Sequence, residues 1–208
     1  MAGKNRVELE KVLNHYSDDP ADSLKYKSAV FLIENMPEKY GYKGTAIDKK
    51  IEAFGYLEKE TDSIPADIVD IANSQFKERS EKVYDIKVIT SEYLIEHIDI
   101  AYSQWKTIAW NKNLSFDDFC EYLLPYRLEN EPLMPWRKEY LNKYGKIIDS
   151  LCSGTDAVEA ANQLNLYIGQ TEKVIYSNEI QYICLGPIFY MDNKQFSKVF
   201  HLPFLRVI

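Results

Sequence analysis

Glycine is scarce in this chain, with 8 copies among 208 residues. Tight turns and phosphate-cradling loops both draw on glycine's freedom at positive φ. The low count therefore argues against an all-β sandwich and against a phosphate-loop protein. G-x-G-x-x-G, the P-loop pattern and G-x-S-x-G are all missing. A basic excess is missing too: 25 Lys and Arg stand against 32 Asp and Glu, for a net charge of −7. Nucleic-acid binding rests on cations that neutralise phosphates, so no nucleic-acid partner is expected, and an anionic membrane surface is disfavoured for the same reason.

No apolar run is long. The most apolar stretch, IQYICLGPIFYM (180–191), falls short of the roughly 20 residues that span a bilayer. No transmembrane segment is expected. MAGKNRVELE lacks the apolar core of a signal peptide, so the chain reads as soluble, with removal of an upstream export signal left open. The three cysteines, Cys120, Cys152 and Cys184, are odd in number and far apart, which excludes a complete disulfide framework and any CxxC site. His15, His97 and His201 are not spaced with one another or with a carboxylate as metal ligands are, so neither metal nor cofactor is expected.

What the chain does have is core material. Hydrophobic residues make up 46%, aromatics 13%, and tyrosine alone contributes 16 residues. Helical spacing recurs through most of the length. Over 5–16, Leu9, Val12, Leu13 and Tyr16 share a face, with Asn5 as the expected N-cap. Over 22–36, Leu24, Ala29, Phe31, Leu32 and Met36 predict a buried helix that Pro37 stops. KYGYKG (39–44) reads as a loop, 46–59 as a helix, and Pro65 as the first turn of another running to about Val83.

Thr90 is the expected cap of a long helix, SEYLIEHIDIAYSQWKTIAW, with Leu94, Ile98, Ala101 and Trp105 as its stripe and His97 half-buried or exposed. Ser115-x-x-Asp118 resembles a capping box in front of Phe116, Phe119, Leu123 and Leu124. Pro125 ends that helix and biases Leu124 away from helical geometry. Pro135 restarts one carrying Trp136, Tyr140, Tyr144, Ile147, Ile148 and Leu151. Gly154-Thr155 is the expected cap of a last helix with Val158, Ala161, Leu164 and Ile168 inward.

The sequence thus predicts a mainly α, bundle-like domain over 1–171. Residues 172–208 form an irregular or β-containing tail without helical period.

Chemistry concentrates in LSFDDFCEYLLPYRLENEPLMPWR (114–137). A nucleophilic cysteine needs a helix N-terminus or an imidazole to lower its pKa. Cys120 lies beyond the first turn and precedes Glu121, whose charge opposes a thiolate, so a structural cysteine is expected. Cys152 sits at a helix C-terminus, where a thiolate is disfavoured. Asp117 and Asp118 suit a helix start, and Asp18 and Asp19 a loop before Pro20.

Glu129 and Glu131 lie between Arg127 and Arg137, and two readings stand. Ion pairs there fix the corner of a domain. Alternatively Tyr126, Arg127, Glu131, Trp136 and Arg137 present a polar-aromatic surface to a ligand, since loops often carry binding residues.

Three stretches together resemble a known family: PADSLKYKSAVFLIENMPEKY (20–40), ITSEYLIEHIDIAYSQWK (89–106) and SFDDFCEYLLPYRLENEPLMPWRKEYLNKY (115–144). They are similar to the helical N-terminal region of bacterial transglutaminase-like proteins, many of them exported lipoproteins. The likeness covers about 5–168. In that family the region precedes a papain-like core with a cysteine nucleophile, a histidine and an aspartate in triad logic.

This chain departs from the pattern after LNLYIG (164–169). The Gly-x-Cys opening and the later His-Trp strand are missing, and Cys184 and His201 lack the right surroundings. No catalytic residue is carried over. The resemblance implies a truncated or divergent product that keeps a non-catalytic accessory domain. Its partner would be a transglutaminase-like core, and its setting extracytoplasmic or at the cell surface. The rival expectations are a stand-alone module holding a peptide or glycan at 126–137, and an unrecognised cysteine hydrolase using Cys120.

Overall fold

The structure is a computed structural model that describes residues 1–45, 47–48, 81–127, 130, 132–152 and 156–171. It is mainly helical, with one two-stranded sheet among the described residues. Of the helix expected at 46–59 only Ile47 and Asp48 are described, both helical and Ile47 buried, and most of the helix expected from Pro65 falls outside the described residues. So do the Gly154-Thr155 cap, the 172–208 tail with Cys184 and His201, and the side chains of Leu151, Cys152 and Ile168.

Helix α1 (Arg6–Ser17) buries Leu9, Val12 and Tyr16, the face its spacing predicts. Its expected cap is a correction. Asn5 closes a 3-10 turn, Gly3–Asn5, and is itself in right-handed helical geometry, so its side chain is not placed to cap. Instead Asn5 Nδ2 donates to the carbonyls of Ile86 (3.3 Å) and Ile89 (2.9 Å). The start of α1 is thereby tied to the turn that precedes the central helix.

Helix α2 (Ser23–Glu34) buries Ser28, Ala29 and Leu32. It ends before Met36, because Pro37 restricts the residue in front of it, yet Met36 is still fully buried past the helix end.

Strand β1 (Tyr40–Lys43) pairs antiparallel with β2 (Glu81–Tyr84), Tyr40 opposite Tyr84 and Gly41 opposite Val83. The expected loop at 39–44 is therefore a strand, and the expected helix end near Val83 is its partner. Tyrosine and valine favour a pleated surface. Tyr40 and Tyr84 stand 5.8 Å apart across the ladder, and Lys43 Nζ pairs with Glu81 at 2.7 Å.

Helix α3 (Ser91–Thr107) runs through the centre and packs on both α1 and α2. Thr90 Oγ1 accepts from Tyr93 N at 3.2 Å, as a cap should. Glu8 of α1 adds a second cap, accepting from Ser91 N (2.9 Å) and Ser91 Oγ (2.7 Å). Leu94, Ile98, Ala101 and Trp105 are buried as their spacing predicts.

A single turn, α4 (Phe116–Asp118), carries both arms of the Ser115–Asp118 capping box and passes straight into a π-helical turn, Phe119–Leu123. Phe119 stacks on Trp105 with centroids 4.5 Å apart. The helix ends at Leu123, in front of Pro125 as expected, but Leu124, its C-cap, keeps right-handed helical dihedrals rather than extended ones.

Helix α5 (Trp136–Cys152) packs on α3 and on α6 (Ala157–Thr171). The described cap of α6 is Asp156, whose Oδ1 accepts from the backbone of Val158 and Glu159 at 2.9 Å each. That start sets the register. Ala160 and Leu164 face inward, while Val158, expected inward, is 72% exposed.

Candidate functional site

Residues 124–135 cross from the π-helical turn to α5 without regular structure among the residues described there. A helix end leaves carbonyls without intrahelical donors, and Pro125 brings no N–H of its own. Side chains from the neighbouring helices supply the donors. Arg137 Nη2 donates to the Leu123 carbonyl, and its Nη1 donates to Gln104 Oε1 at 2.8 Å. His97 Nε2 meets the Leu124 carbonyl at 2.8 Å, which requires the proton on Nε2. Trp136 Nε1 donates to the Tyr126 carbonyl at 2.8 Å, and Tyr93 Oη to the Met134 carbonyl at 3.2 Å.

Below this lies an ion pair. Asp85, fully buried in the turn after β2, takes Arg127 Nε on Oδ2 and Arg127 Nη2 on Oδ1, a bidentate grip. Tyr126 Oη donates to Oδ2 at 3.0 Å. Burial, and after it the Asp85 charge, push the Tyr126 phenol well above its ordinary value, so it stays a donor. Aromatic edges frame the group. The His97 ring lies 6.0 Å from Trp136 and 6.2 Å from Tyr126, and the Arg137 guanidinium covers the Trp136 ring at 4.7 Å.

Of the five residues proposed from sequence, the structure thus brings Tyr126, Arg127, Trp136 and Arg137 together, and Glu131 lies outside the described residues. The four are largely buried, at 4%, 7%, 1% and 1% exposure, and Tyr126 and Arg127 also line the cleft beside the end of α2. Arg127 pairs with Asp85, 42 residues away in sequence. Its expected local partners, Glu129 and Glu131, are not described. His97, expected half-buried or exposed, is buried at 5%.

Sequence reasoning missed Asp85, His97 and Gln104. A signal existed for two of them, because His97 and Gln104 share the inward stripe with Leu94, Ala101 and Trp105. For Asp85 the only hint is an acid set among Val83, Ile86 and Ile89.

Cys120 is buried within the π-helical turn. Burial first, and then the charge of Asp117, push its thiol up to about 11. The sequence blamed the adjacent Glu121; the charge that acts is Asp117. A thiol so raised stays protonated at neutral pH and is a poor nucleophile. Among the described residues, no group of three or more His, Cys, Asp or Glu side chains could hold a metal ion, and no helix is long and apolar enough to cross a membrane.

Two depressions border the corner. One, of about 310 Å3, lies between the end of α2 and the Pro125–Arg127 segment. The other, of about 790 Å3, runs along α3 from Thr90 to Ile100 and reaches Lys138. Comparison with protein-family models, curated proteins and solved structures returns no match.

Proposed function

We propose that this chain is a non-catalytic helical accessory module of a transglutaminase-like protein, one that packs against a papain-like core and helps to shape its groove. The observation that carries the reading is how the polar groups of 123–137 are used. Two arginines, a histidine, a tryptophan and an aspartate, the residue types an active site or ligand site would employ, hold main-chain carbonyls and one another. Such a corner is rigid. It suits a surface that another domain is built against, and its one imidazole among the described residues, His97, is spent on the Leu124 carbonyl.

The raised thiol of Cys120 supports the same reading. The three stretches that resemble the family's helical region support the choice of partner, and they contain every member of the corner except Asp85.

The test has two arms. In the first, the purified chain is assayed for hydrolysis and transamidation of a glutamine peptide, and no turnover is expected. Turnover abolished by Cys184→Ala or Cys120→Ala overturns the reading. In the second, a papain-like core encoded beside this chain is titrated with it by calorimetry. Binding that changes the core's KM for the peptide is expected. A core that ignores the chain leaves no place for an accessory role.

A further inference from the structure

The 310 Å3 cleft beside the corner has walls of two kinds. Phe31 and Leu32 of α2 and Pro125 give an apolar wall. Arg127 and Lys39 give cationic groups, and Glu121 of the π-helical turn is its acid. The volume lies at the small end of the range for ligand sites, enough for a side chain or two rather than a folded surface.

The charges differ in how they are used. Arg127 is buried and its charge is balanced by Asp85. Lys39 is exposed and takes part in no ion pair among the described residues. A ligand entering the cleft therefore meets an apolar wall, one lysine outside any ion pair among the described residues, and the exposed carboxylate of Glu121.

We propose that this cleft is a binding site for a short acidic peptide segment, an aromatic or aliphatic side chain lying against Phe31 and Pro125 and the neighbouring Asp or Glu carboxylate on Lys39. The cation is a side chain, as in recognition of acidic motifs. Capture of a chain terminus uses a nest of backbone N–H groups instead. The carboxylate is thus a side chain's, not a C-terminus. Glu121 is a like charge in the same cleft and limits affinity. The site goes beyond the accessory role: it is tested on the chain alone, so failure of a core to bind and failure of the cleft to bind are separate results.

The test is a titration of 15N-labelled protein followed by amide chemical shifts. The probes are N-acetyl-Phe-Glu-amide, N-acetyl-Phe-Gln-amide and N-acetyl-Phe with a free carboxylate. The Glu peptide is expected to bind about fivefold or more tighter than the Gln peptide, with shifts at Phe31, Asn35 and Lys39. Lys39→Gln should abolish that preference, and Glu121→Gln should strengthen the Glu peptide several-fold. Phe31→Ala should weaken both amides. Lys39 and Glu121 are both exposed, so neither substitution threatens the fold. Equal affinity for the two amides overturns the proposal, as does a preference that survives Lys39→Gln. Tightest binding by the free carboxylate overturns it too and makes the cleft a terminus site.

Discussion

Two parts of this molecule sit against the same central helix and are held in different ways. The bundle of α1, α2 and α3 is held by apolar faces: Leu9, Val12, Ala29, Leu32, Leu94 and Ile98 lie in one buried cluster. The corner at 123–137 is held by donors and charges taken from chain segments far away in sequence. Apolar packing degrades gradually when a methylene is removed. A buried charge that loses its partner does not, because the remaining charge keeps its full desolvation penalty. Removing one partner in the corner should therefore cost more than removing one methylene in the bundle.

Asp85→Ala should produce the largest effect. It strands Arg127 and removes the acceptor of the Tyr126 hydroxyl. The expected loss is about 3–5 kcal/mol, read as a fall in the urea midpoint at constant slope. Asp85→Leu combined with Arg127→Leu should lose less than Asp85→Ala alone, since no charge is then left buried. If Asp85→Ala costs no more than trimming one methyl from the bundle, the contrast between the two regions fails.

Adjacent residues on α3 give a finer comparison. His97 faces the corner and Ile98 the bundle, and both are buried. His97→Phe keeps a ring but leaves the Leu124 carbonyl without its 2.8 Å partner. An unsatisfied buried acceptor costs about 1–3 kcal/mol. Ile98→Val removes one methylene and should cost about 0.5–1.5 kcal/mol. A reversed order would mean that the corner tolerates an orphaned carbonyl, by local shift or by water.

The same division decides what could be read from the sequence. The faces of α1 and α3 were legible because apolar burial imposes a 3.6-residue period, and the Thr90 and Ser115 caps because capping is local chemistry. The β1–β2 pair was not, since its two short strands lie about 40 residues apart and each is stable only beside the other. The corner was half legible. Its position and four of its residues showed in the break at Pro125 and the restart at Pro135. Its anchor did not, because nothing local marks Asp85 as the partner of Arg127. The polar-aromatic composition of 126–137 suggested a surface, yet in a low-dielectric interior such groups serve equally well to satisfy an irregular backbone.

Glu8 tests the boundary between the two regimes, because it is a polar anchor at the edge of the apolar bundle. Hydrogen bonds from Lys11, then from the Ser91 backbone and hydroxyl, lower its carboxyl from the ordinary 4.5 to about 2. A carboxylate with a depressed pKa in the folded state holds fewer protons there than in the unfolded chain. Its contribution is therefore fully present above about pH 4.5 and is lost as pH falls toward 2. Glu8→Gln should lower the thermal midpoint at pH 6, and the gap from the parent chain should close by about pH 2. Salt separates the causes. The Lys11 share is an exposed ion pair and should fade at high ionic strength. The Ser91 share caps α3 by hydrogen bonding and should persist. A pH 6 gap that vanishes entirely in 1 M NaCl would assign Glu8 to surface pairing with Lys11 alone and would remove it as a tie between α1 and α3.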